Sequence, residues 1–140
     1  MRITHEADYA IRIMYCLAAR GEKTSAKQIS DDSGVPQRFT LKILRRLTQA
    51  GLTESYKGVS GGYVLSRPAE EISLGEIIEQ IDGPIEINHC LSSEFDCSRV
   101  IRKNECTFHH IFSTINQDIR KQLYGVSLAQ FVPCADSQQQ

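Results

Sequence analysis

A mainly α-helical fold with one small β-hairpin is what this 140-residue chain predicts, and three observations carry that reading. Apolar residues recur at helical spacing over most of the length. One short stretch, 52–66, is instead strand-like around a glycine-rich tip. A last, long apolar stripe follows a turn-rich loop that holds three cysteines. With 41% hydrophobic residues the chain can bury one core of ordinary size.

Taken in order, residues 4–19 read as a helix. Thr4 is a suitable N-cap, and Ala7, Ala10, Ile11, Met14, Leu17 and Ala18 fall on one face. Asp8, Arg12 and Tyr15 share another face, and Cys16 flanks the stripe as a small hydrophobe rather than a ligand. Ser25-Ala-Lys-Gln28 is a capping box opening a short helix that ends near Ser33-Gly34. The next helix has Pro36 in its first turn and Gly51 just past its end. Phe39, Ile43, Leu44 and Leu47 form its buried stripe; Gln37, Arg38, Lys42, Arg45 and Gln49 stay exposed. Two short helices joined by a tight turn form a helix-turn-helix, whose second helix suits a DNA major groove; a plain helical hairpin is the alternative.

Leu52 to Tyr56 and Tyr63 to Ser66 then read as two strands joined by Lys57-Gly-Val-Ser-Gly-Gly62. A hairpin placed directly after a helix-turn-helix is a wing, so the fold class sharpens to a winged helix-turn-helix. Lys57 can neutralise a phosphate and the Gly61-Gly62 backbone can approach one closely, unless that pair serves the turn alone. Ser73-Leu-Gly-Glu76 caps a further helix with Leu74, Ile77, Ile78 and Ile81 inward and Gly83-Pro84 as its stop. The last helix, 107–124, carries Phe108, Ile111, Phe112, Ile115, Ile119 and Leu123 on one stripe, with Gln117, Arg120 and Lys121 opposite. So heavy a stripe on so long a helix is expected to pack on a second copy of the chain, its own domain being the alternative. Gly125 ends it, and Ser127 is placed to cap one more turn before Pro133.

Charge separates the two halves. Residues 1–67 hold 11 Lys/Arg against 6 Asp/Glu, and residues 68–140 hold 5 against 11. The basic half suits a polyanion and the acidic half does not. The expected base readers are Gln37, Arg38 and Thr40; Lys42, Arg45 and Lys57 are expected on phosphates, with Ser60 and Gly61 at the wing tip.

Cys90, Cys97, Cys106 and His109 lie within a 20-residue stretch, a donor set for a soft metal or an iron–sulfur cluster. A tetrahedral zinc site uses the same donors but prefers tighter cysteine pairs. His109 beside His110 also reads as an ordinary helix residue, and His89 is a minor ligand candidate. No nucleophile–base–orienter set and no C-x-x-C occurs, so an enzyme is not expected. No secretory signal or membrane span is legible in the first 20 residues, which points to the cytoplasm, where clustered thiols stay reduced.

The segments Gly58-Val-Ser-Gly-Gly-Tyr-Val-Leu-Ser-Arg67, Ile72-Ser-Leu-Gly-Glu-Ile77 and Ile81-Asp-Gly83, with Met1-Arg-Ile-Thr4 and Tyr9-Ala10, resemble the Rrf-two family of bacterial winged-helix regulators. The resemblance runs from Met1 to about Val132. It implies a homodimer joined by the long helix, a palindromic double-stranded DNA operator, no membrane and no small-molecule substrate. It further implies a transcription regulator, in the first instance a repressor, whose iron–sulfur cluster senses cluster supply, nitric oxide or redox state. A two-iron cluster is the first expectation and a four-iron cluster the alternative, since the C-x6-C-x8-C spacing is looser than that of IscR-type members. Cys90, Cys97 and Cys106 match the family's cluster cysteines. His109 matches the fourth ligand of IscR-type members, and Asp8 matches that of NsrR-type members, supplied there by the other subunit. On this reading residues 1–83 form the DNA-binding domain and 84–106 the cluster-binding loop. Residues 107–132 form the dimerisation helix and following turn, and 133–140 a flexible tail. The alternative is a cluster-free or zinc-bound regulator of sulfur or cysteine metabolism acting through a protein partner.

Overall fold

The computed structural model describes residues 2–99 and 102–132; the tail 133–140 lies outside the described residues. Among the described residues, five α-helices and one hairpin follow in the expected order: α1 His5–Arg20, α2 Ala26–Ser33, α3 Gln37–Gln49, β1 Thr53–Tyr56, β2 Gly62–Leu65, α4 Leu74–Asp82 and α5 Thr107–Tyr124. Their ends are set by local chemistry. Thr4 accepts from the Ala7 amide, Ser25 from Gln28 and Ser73 from Glu76, each at the third residue beyond the cap. The two capping boxes close on one side only. The Gln28 side chain turns to Asp32 (2.8 Å), and Glu76 turns to Arg67 (2.5 Å). Pro36 stands at the N-cap of α3 rather than inside its first turn.

α1 is the centre of the molecule, contacted by α2, α3, α4, β2 and the turn after α5. It therefore buries a wider arc than one stripe: Ile13 and Cys16 are inside, while Ile11 and Ala18 are only half-buried. Burial pushes the Cys16 thiol up from its ordinary value, as expected of a packing residue. Ile29, Val35, Ile43, Leu44, Leu47, Leu52, Ile72, Ile77 and Leu128 complete the core. Each fully buried leucine or isoleucine contributes about 1.5–3 kcal/mol relative to exposure.

The hairpin pairs antiparallel, Thr53 opposite Leu65 and Tyr56 opposite Gly62. Near its turn end the second strand is pinned to the residue before the α2 cap: Thr24 and Tyr63 exchange both backbone hydrogen bonds, at 3.0 and 2.9 Å. A Cβ at Gly62 would stand 2.6 Å from the Thr24 carbonyl oxygen, and one at Gly61 would strike the Tyr56 carbonyl. The glycine pair is thus demanded by the wing's own packing.

α5 touches the rest of the chain along a narrow line. The Tyr124 ring lies over Gly75, Arg120 pairs with Glu79 at 2.7 Å, and Asn116 is its single buried residue. The turn beyond it, Leu128–Phe131, enters the core. Leu74 donates to the Val126 carbonyl (2.9 Å) and Leu128 to that of Ile72 (2.8 Å). Ser127, expected as a cap, makes no side-chain cap bond; burial of Leu128 holds this turn instead.

Candidate nucleic-acid interface and cysteine loop

α2 and α3 meet through Ser33-Gly34-Val35-Pro36, and the turn is locked from both helices. The hydroxyls of Ser30 (2.6 Å) and Thr40 (3.2 Å) both donate to the Val35 carbonyl. This corrects the expectation for Thr40. Its side chain is fully buried and spent on the turn, so it cannot read a base.

The solvent face of α3 carries Gln37, Arg38, Leu41, Lys42, Arg45 and Gln49. Arg38 lies over the Phe39 ring at 4.8 Å, which steadies its stem. Lys42 reaches Glu6 of α1 at 2.9 Å, an exposed pair whose net worth is small and readily exchanged for a phosphate. The hydrogen bond from Lys42, then the charges of Lys42 and Arg46, hold the Glu6 carboxyl below its ordinary value. Leu41, 46% exposed amid these basic residues, escaped the sequence reading because a leucine at helical spacing looks like core. Arg46 was also missed. It points inward, to Glu6 (2.9 Å) and to the Ile81 carbonyl at the end of α4 (2.8 Å). On the wing, Lys57 and Ser60 are exposed and Val59 stands fully exposed at the tip.

The cysteine loop leaves α4 at Gly83 and is tied to α5 almost at once. The Asn116 carboxamide donates to the Ile85 carbonyl (2.8 Å) and accepts from the Ile87 amide (3.0 Å), as a strand neighbour would. A short 3₁₀ turn, His89–Leu91, holds Cys90, and another, Lys103–Glu105, precedes Cys106. The Lys103 ammonium donates to the Ser92 carbonyl at 2.9 Å and ties the two ends of the loop. Val100 and Ile101 lie outside the described residues.

Cys90, Cys97 and Cys106 are half-buried free thiols. Asn88 donates to the Cys90 sulfur at 3.3 Å, and Arg99 to the Cys106 sulfur at 3.7 Å. His109, one turn into α5, has a buried Nδ1 with no hydrogen-bond partner. A buried imidazole nitrogen left unmatched is costly, and a ligand is one of the few things that offsets the cost. Asp8 stands differently: it is half-exposed on α1 and already holds Arg12 at 3.0 Å. His89 stacks on Phe95, centroids 6.0 Å apart. In kind these donors suit a thiolate-held cluster, with N–H···S bonds to two of the sulfurs. In position, no three His, Cys, Asp or Glu among the described residues gather around one ion.

A reading helix locked by a tight turn, a wing beside it and a basic solvent face define a winged-helix DNA-binding protein. The chain belongs to the Rrf2 (Rrf-two) family, described as iron-dependent transcriptional regulators, whose family model matches residues 3–133. It is 42% identical over 103 residues to protein aau3 of Rhizobium meliloti, covering 71% of this chain and 66% of that protein. The chain thus spans slightly under two thirds of that relative. Its fold is that of CymR, the global cysteine regulator of B. subtilis (TM-score 0.74, 24% identity, 92% and 94% of the two chains). T. potens IscR shares it as well (TM-score 0.67, 24% identity, 92% and 84%). The family is one of transcriptional regulators, not enzymes, and CymR is named as a regulator. No helix among the described residues is long and apolar enough to cross a membrane.

Proposed function

We propose that this regulator binds a palindromic operator as a homodimer and represses from it, under control of an iron–sulfur cluster held by Cys90, Cys97, Cys106 and His109. The observation that carries the ligand set is the buried, unpartnered His109 Nδ1, at the start of the helix that follows a loop with three free thiols. His109 is favoured over Asp8, which is half-exposed to water and has no buried, unmatched atom. When bound, such a cluster supplies a centre that responds to redox state, nitric oxide or cluster supply, with two iron atoms as the first expectation. The chain's own part is mechanical. The loop 84–106 runs between α4, which packs on α1, and α5, whose exposed stripe suits a second copy. A change in loop order therefore bears on both the reading domain and the pairing helix. Residues 1–83 serve as the DNA-binding domain on this reading, and 107–132 supply the dimer contact, with the final turn also anchoring the core.

Iron, acid-labile sulfide and zinc per chain test the proposal, measured with a visible spectrum on protein purified without oxygen. Equal iron and sulfide are expected in the wild type. Cys97→Ala should lose both and change operator affinity; unchanged affinity in the colourless variant would sink cluster control. A second reading has one observation in its favour: the thiols do not converge in this conformation. In that case the protein is a cluster-free regulator of sulfur or cysteine metabolism, in the manner that the name of CymR describes for its own chain. Zinc alone, or no metal, with DNA binding intact would select it.

For the operator contacts, Gln37, Arg38 and Leu41 are assigned to bases, Leu41 through a thymine methyl. Lys42, Arg45, Lys57, Ser60 and Gly61 are assigned to the backbone. Arg38→Ala is expected to cost about 1–3 kcal/mol and relax preference at one position. Lys57→Ala should weaken all duplexes alike and lower the slope of log affinity against log salt by about 0.9. Equal behaviour of the two variants in a binding titration over salt would show the sorting to be wrong.

A further inference from the structure

Arg46 is the basic residue of α3 that reaches the end of α4. Its guanidinium bonds the Glu6 carboxylate (2.9 Å) and the Ile81 carbonyl (2.8 Å), with the Gln80 carbonyl at 3.5 Å. Those two carbonyls belong to the last turn of α4, where backbone acceptors have no helical partner. Next along the chain, the Asp82 carboxylate accepts from the Thr4 amide (3.2 Å) and the Thr4 hydroxyl. Gly83 follows, and by Ile85 the chain is buried and clamped by Asn116. The reading helix is thus bonded to the end of α4, two residues before the cysteine loop begins. Only Asp82, Gly83 and Pro84 separate the Ile81 carbonyl from Ile85, where the Asn116 clamp on α5 begins.

We propose that Arg46 is a positioning residue which transmits the state of the cysteine loop to the orientation of the reading helix. A planar guanidinium can hold a carboxylate and a carbonyl at once from fixed directions, so displacement of the α4 end pulls on α3. A lysine ammonium keeps the charge and the Glu6 pair but not that fork. The inference rests on ligand control through the loop, and it differs from a phosphate role, which the position on a reading helix would otherwise invite.

The test uses the full chain, wild type and Arg46→Lys, on a palindromic duplex selected by the wild type from a random-sequence pool. Affinity is measured with the cluster loaded and removed, across a salt series. If the wild type shows no difference between its two forms, cluster control itself fails and takes this inference with it. Given a wild-type difference, Arg46→Lys is expected to bring the loaded-to-unloaded affinity ratio close to one while leaving the salt slope of the unloaded protein unchanged. A wild-type ratio in the variant overturns the relay, and so does Arg46→Met having a slope lower by about one, the mark of a lost phosphate contact. Amide hydrogen exchange on the wild type needs no variant. Loading should alter exchange at Gly83 to Ile87 and along α3 together, and a change confined to the loop would equally overturn the relay.

Discussion

Glutamate at both Ile111 and Ile115 is expected to give a monomer that binds a palindromic duplex about 10²–10⁴ times more weakly than the wild type. The factor is that of tethering: in a dimer the second half-site is met at a high effective concentration, and a monomer must meet it afresh. Half-sites one helical turn apart, ~34 Å, make the loss specific to the full palindrome; a single half-site should be bound as before. The physical case lies in α5. Phe108, Ile111 and Ile115 are 60%, 51% and 44% exposed, and of its 18 residues only Asn116 is buried. Covering such a stripe yields about 25 cal/mol for each Å² removed from water, and four carboxylates placed there would forbid it. Sedimentation velocity with a duplex titration reads both effects. A dimer that survives both substitutions would put the pairing surface elsewhere.

The second large effect is on stability. Leu128→Ala is expected to cost about 2–5 kcal/mol, a large share of the roughly 5–15 kcal/mol that holds a domain of this kind together. Leu128 has no exposed surface and its amide is bonded to Ile72 at 2.8 Å, so the cavity left behind would have little room to collapse. The midpoint of urea denaturation should fall with an unchanged slope. A loss under about 1 kcal/mol would mean that the turn after α5 is not part of the core.

Much of the fold was legible before any coordinates. Thr4, Ser25 and Ser73 announce three helix starts, and Lys57 to Gly62 announces the wing, because each signal acts within a turn or so of itself. The helix read at roughly 107–124 was legible from its apolar stripe and Gly125, since it has no side-chain cap. The candidate site was half legible. Cysteines and a histidine declare their chemistry by type, so the thiol loop stands out in a one-dimensional string, and so do Arg38 and Lys57 as cations.

What escaped the sequence depended on which neighbour each side chain met. Thr40, on the first turn of a reading helix, looks like a base reader until the Val35 carbonyl is seen to take its hydroxyl. Asn116 lies mid-helix with no local mark, and only the return of the chain at Ile85 and Ile87 makes it a clamp. Arg46 differs from Arg45 by one position, yet that 100° of helix turns it from solvent to the end of α4. The sequence by itself determined where helices and strands begin, and which side chains could bind DNA or a metal, because caps, turn glycines and thiols carry that information locally. Only the tertiary structure decided which of those side chains face outward and which are spent inside, because burial is a property of residues 30 to 80 positions apart being brought together.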